Sequence, residues 1–129
     1  MSKSNQSMEH AEMNAHIATI LTSHRWVVRF EELHTDIVTF LPGNPDVWAV
    51  ESERRANAYW ICRNAMRNHR NGATGIVFVA ENSAVAEKIR RIVGSLADAI
   101  RNKTLVVTIN DFTVEFINNK MEGGRNAYE

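Results

Sequence analysis

The hydrophobic positions of this chain change period from one segment to the next. Met13, Ile17, Ile20 and Leu21 recur at i, i+4, i+7 and i+8, the spacing of a helix with one buried face. Ser7 stands where an N-cap belongs, so the pattern predicts a first helix over 8–24 behind a disordered stretch, 1–7. The run 26–32 is rich in β-formers and predicts a first strand. Residues 36–41 and 47–52 are two more strand-like runs. Between them Pro42, Gly43, Asn44 and Pro45 disfavour regular structure, so the pair reads as a hairpin.

Beyond the hairpin the helical period returns over 54–70, with Ala58, Ile61, Cys62, Ala65 and Met66 on the apolar side. A buried strand over 75–80, an amphipathic helix over 84–102 and a strand over 104–109 follow, a β-α-β passage that implies parallel strands under helices. Residues 112–117 predict a short closing strand, and 118–129, polar and containing Gly123 and Gly124, a frayed tail. The expected order is α-β-β-β-α-β-α-β: one α/β domain over 8–117, a mixed sheet with helices on both faces.

Composition narrows the setting. With 129 residues and 44% hydrophobic content, the chain suffices for one continuous core. Cys62 is the single cysteine, so no internal disulfide forms, and no paired Cys/His spacing suggests structural zinc. No apolar run approaches the ~18 residues of a membrane span, and the polar N-terminus lacks a signal-peptide pattern; a cytoplasmic protein is expected. The zero net charge conceals a division. Up to Glu53 there are 3 basic and 8 acidic residues, and from Arg54 onward 12 and 7.

The acidic half carries the first candidate chemistry. If the hairpin turns between Gly43 and Asn44, residues whose numbers sum to 87 face each other, and Asp36 stands opposite Glu51. Strand alternation puts Glu53 on the face of Glu51. Three carboxylates then converge at the hairpin's open end. Like charges so placed destabilise a sheet unless a cation binds, a pKa rises, or the acids diverge into water. Mg²⁺ or Mn²⁺ suits such oxygen donors and can carry water toward a phosphodiester. Acids on an exposed strand end are the plainer alternative.

Glu12 on the first helix, Asp36 opening the second strand and Glu51-Ser52-Glu53 closing the third resemble the PD-(D/E)xK nuclease superfamily, in particular its archaeal Holliday junction resolvase branch. The likeness spans roughly 8–80. It implies a restriction-endonuclease-like core, Glu12, Asp36 and Glu51 as metal ligands, Asp36, Glu51 and Glu53 as the catalytic set, and a homodimer that cuts one strand per subunit. Two positions depart from the family. Thr35 replaces the proline of the PD pair, and Glu53 replaces the lysine that orients the attacking water, as in the similar replication-relaxation proteins of mobile elements. Pro45-Asp46 lies too close to Glu51 to serve as that pair.

The basic half carries the second candidate. From Arg54 to Ala80 there is no acidic residue, while Arg54, Arg55, Arg63, Arg67 and Arg70 are present. Tyr59, Arg63, Arg67 and Arg70 share one helix face, a stripe suited to phosphates. Trp26, Trp48 and Trp60 are expected in core or interface, the five histidines show no ligand spacing, and His16 is placed to assist Glu12. Walker A and dinucleotide fingerprints are absent from the sequence. Three functions remain: a metal-dependent DNA endonuclease for branched or mobile-element DNA, a degenerate module that binds DNA without cutting, and a protein-interaction domain that uses its acidic half.

Overall fold

The computed structural model describes residues 2–122, with side chains from residue 9. Five strands form one mixed sheet in the order β1 (Val27–Phe30), β2 (Ile37–Phe40), β3 (Trp48–Glu53), β4 (Gly75–Ala80), β5 (Thr104–Thr108). β1, β2 and β3 are an antiparallel meander, and β3, β4 and β5 run parallel. The parallel half requires crossovers. α2 (Ala58–Arg70) links β3 to β4, and α3 (Ser83–Gly94) with the short α4 (Asp98–Arg101) links β4 to β5.

Alternation along the strands divides the core into two layers. Trp48, Val50, Val77 and Val79 pack on one face with Ile17 and Leu21 of α1 (Ser2–Ser23) and with Phe112, Ile117 and Met121 of the C-terminal segment. Ala49, Ile76, Phe78 and Ala80 pack on the other with Ile61 and Ala65 of α2 and Ala86, Ile89 and Val93 of α3. Every β4 residue is buried, as expected of a central strand covered on both faces. The chain is thus an α/β fold with a five-stranded mixed sheet between helical layers. Among the described residues no helix is long and apolar enough to cross a membrane.

Several element boundaries differ from the sequence expectation, each for a local reason. α1 begins at Ser2, so Ser7 is an interior helical residue and the segment expected to be disordered is helical from residue 2. β1 stops at Phe30 because Glu31, Leu33 and His34 take left-handed φ values of 53°, 56° and 64°, closing a tight turn instead of extending the strand. α2 starts at Ala58, capped by the Asn57 side chain on the Trp60 N–H, which leaves Arg54 and Arg55 in the preceding loop. The third helix ends at Gly94 and resumes as α4. The expected closing strand over 112–117 is helical instead. The Thr113 hydroxyl caps α5 (Val114–Phe116), which continues into a wider turn over Ile117–Glu122. Ile117 and Met121 lie one helical turn apart and are buried, so the core extends past residue 117 and the polar-tail expectation fails there. The rest of that tail, from Gly123, lies outside the described residues.

Candidate functional site

The observed β2–β3 register pairs Ile37 with Val50, Val38 with Ala49 and Thr39 with Trp48. The numbers of each pair sum to 87, so Asp36 and Glu51 continue the ladder as neighbours beyond its last pair. The Asp36 N–H donates to Glu51 Oε1 at 3.2 Å. Glu53 lies two residues further along β3, and all three acids line one open cavity of about 700 Å³. Its wall also includes His10, His34, Arg54, Arg55, Trp60 and Arg67.

Each acid is held by a different element. Asp36 Oδ2 accepts from the Ser52 N–H at 2.9 Å and lies 3.2 Å from His10 Nε2, which reaches over the sheet end from α1. Ser52 faces α1 as well, and its hydroxyl donates to Asn14 Oδ1 at 2.6 Å. Glu51 Oε2 accepts from Asn68 Nδ2 at 2.8 Å and from Arg67 Nη2 at 3.2 Å. Asn68 is buried, and its Oδ1 accepts from the buried Thr35 hydroxyl. Thr35 therefore supports Glu51 through Asn68. Asn64 accepts from Arg67 Nη1 at 3.0 Å and lines the same cavity as Glu53.

Burial and mutual repulsion set the protonation of this cluster. Desolvation, reinforced by the Asp36 charge, pushes Glu51 up to about 7 against the pull of Asn68 and Arg67. Desolvation and the charges of Glu51 and Asp36 push Glu53 up to about 8. Asp36 is half-buried, and its hydrogen bond and ion pair with His10 outweigh desolvation and hold it below the usual carboxylate range. His10 is correspondingly raised, chiefly by its hydrogen bond to Asp36. The site favours one firm carboxylate beside two that resist ionisation unless a cation joins them.

Glu12 is not brought into this cluster. It is exposed on α1 and absent from the cavity wall, while His10 and Asn14 occupy the helix side that reaches the acids. His16 is likewise exposed and remote from the cavity. His10, Asn14, Ile17 and Leu21 recur at i, i+4, i+7 and i+11. The polar extension of the apolar stripe was the available signal, hidden by the acid at position 12.

The arginine stripe also separates. Arg67 is turned into the site, donating to the His34 carbonyl at 2.7 Å as well as to Glu51, and its buried Nε has no hydrogen-bond partner. Arg54 is ion-paired with Glu9 and lies 3.7 Å from Glu81. Arg55, Arg63 and Arg70 are exposed and form no ion pair among the described residues. Tyr59 is exposed beside Arg63, whose Nη1 donates to its hydroxyl at 2.8 Å.

Carboxylate oxygens beside open space for water are the surroundings a hard divalent cation takes. Among the described residues, however, no group of three His, Cys, Asp or Glu side chains is arranged to hold a metal ion. A cation at Asp36 and Glu51 would take two protein carboxylates and fill its other positions with water, a common arrangement for Mg²⁺. Compared with family models, curated proteins and solved structures, the chain matches none.

Proposed function

We propose that this chain is a metal-dependent nuclease of the PD-(D/E)xK type acting on DNA. The observation that carries the reading is the adjacency of Asp36 and Glu51 across the β2–β3 ladder, with Glu53 two residues on, in one cavity rimmed by arginines. In this reading Asp36 and Glu51 hold Mg²⁺ or Mn²⁺, which supplies Lewis acidity and an activated water. The chain's own residues do the rest. His10 and the Ser52 N–H fix Asp36, Asn68 and Arg67 fix Glu51, and the exposed Arg55 on the cavity rim is placed to meet a phosphate oxygen. Without a cation Glu53 is raised to about 8; a cation held by Asp36 and Glu51 would offset the charges that raise it and favour its ionised form.

A second reading, binding without cleavage, is favoured by the absence of the motif lysine and by the hydrogen bonds that already occupy both Glu51 oxygens. Nicking of linear and four-way-junction DNA, with and without Mg²⁺ or Mn²⁺, separates the two. The expected result is metal-dependent cutting, abolished by Asp36→Asn with DNA affinity kept or increased, and accelerated by Glu53→Lys. DNA binding with no cutting under either metal would favour the degenerate module; neither binding nor cutting would favour a protein-interaction domain.

A further inference from the structure

The outer surface of α2 carries an aromatic feature that the cleavage reading leaves unused. Trp26 and Trp48 are core residues, 4% and 9% exposed, but Trp60 is 53% exposed and Tyr59 beside it 62%. Of the three tryptophans expected in core or interface, Trp60 lies outside the core. The two rings form an edge-on pair, centroids 5.0 Å apart at 79°. The Arg63 guanidinium lies 5.9 Å from the Tyr59 centroid and 5.8 Å from that of Trp60.

The position of this pair sets its use. Trp60 lines the acid cavity, whereas Tyr59, Arg63, Met66 and Arg70 line a second open depression of about 620 Å³ on the far side. The rings therefore stand between the carboxylates and an arginine-lined surface. Leaving two large aromatic rings in water forgoes the free energy their burial would contribute, so the arrangement suits an occupant with flat apolar faces. Arg55, Arg63 and Arg70, with no acid between Arg54 and Ala80, require that occupant to be anionic.

Building on the nuclease reading, we infer that the Tyr59–Trp60 pair is a stacking platform for an unpaired nucleic-acid strand, which it leads from the Arg63–Arg70 surface to the acid cavity. Flat bases on an anionic backbone match both halves of the surface. A continuous duplex does not. Its bases are already stacked on one another, and its phosphates would engage the arginines without needing the rings. The substrate class is thus single-stranded, or frayed and branched where a strand leaves its partner.

The test is binding in EDTA, so that no cutting intervenes, of a labelled oligothymidylate about a dozen nucleotides long and a blunt duplex of equal length. Trp60 is the accessible indole, so intrinsic fluorescence reports the contact. The expected result is single-strand affinity about tenfold above duplex affinity, with quenched emission. Trp60→Ala should lower single-strand affinity about tenfold and leave duplex affinity alone, and Trp60→Phe should restore most of the loss. Arg63→Ala should weaken both and flatten the salt dependence. Equal or stronger duplex binding, or single-strand binding indifferent to Trp60→Ala, overturns the platform while the nucleic-acid reading stands. Binding of neither probe overturns both. Dissociation of a self-associated protein by Trp60→Ala, with no nucleic acid bound, would reassign the rings to an interface between copies and overturn the proposal.

Discussion

Asn68 shows how a single side chain holds this site together. Both ends of its amide are engaged, the oxygen accepting from Thr35 and the NH2 donating to Glu51, in a buried position where neither partner has ready access to water. Removing the amide strands the Thr35 hydroxyl and leaves Glu51 Oε2 only the longer bond from Arg67, and an unsatisfied buried group costs about 1–3 kcal/mol. Asn68→Leu, which keeps the branched shape but adds bulk at a buried site, is therefore expected to destabilise the fold by about 2–4 kcal/mol, read as a lower urea midpoint at unchanged slope. The double change Thr35→Val with Asn68→Leu should cost less than the sum of the singles, because the hydroxyl no longer needs a partner. Strict additivity of the two would show that the chain Thr35–Asn68–Glu51 is not a unit.

At the scale of elements, the joint between the antiparallel and parallel halves depends on a close approach. β3 and β4 pair in register from Trp48–Gly75 to Glu53–Ala80, and the Trp48 ring packs directly over Gly75. A β-carbon at residue 75 would overlap the six-membered ring, whose position in the core leaves it no simple escape. Gly75→Ala should thus destabilise by about 1–3 kcal/mol, whereas Gly94→Ala, with open space around its α-carbon and a helical place, should be neutral or mildly stabilising. Thermal melts of both decide it; a harmless Gly75→Ala would mean that β3 and β4 can shift apart. Neighbouring elements also show how far sequence patterns reach. The β2–β3 register was legible because Pro42 to Pro45 fixes the turn centre and the two-residue period carries it outward to Asp36 and Glu51. The segment over 112–122 was not: Phe112, Ile117 and Met121 are too few to separate a strand from irregular helical turns, and the Thr113 cap that decides the matter is one side chain.

Over the whole molecule, the sequence showed one acidic half and one basic half, and folding interleaves them at the sheet end. Arg54 meets Glu9 and Arg67 meets Glu51, while within the acidic half His10 meets Asp36. Those cross-pairings were invisible beforehand because they join residues 16 to 45 positions apart, through helix orientations that no local period specifies. What they leave uncompensated sets the pH response. Glu51 and Glu53, raised to about 7 and about 8 from 4.5, keep protons in the folded chain that the unfolded chain releases. Their contribution to stability is complete below the unfolded value and is lost as pH climbs through the folded values. His10, raised from 6.5, acts in the same direction: its contribution is full below 6.5 and disappears as pH rises through its folded value. Asp36, lowered from 3.8, opposes them only as pH falls below that value. From pH 5 to pH 8 in EDTA, stability should fall by several kcal/mol, a melting temperature lower by about 10 °C or more. Glu51→Gln with Glu53→Gln should flatten the slope. Mg²⁺ or Mn²⁺ should raise the melting temperature more at pH 8 than at pH 5, because at pH 5 the cation must displace protons from both acids. A wild-type melting temperature that stays level or rises across that interval in EDTA would mean that the two glutamates ionise freely and that the cluster is solvated rather than strained.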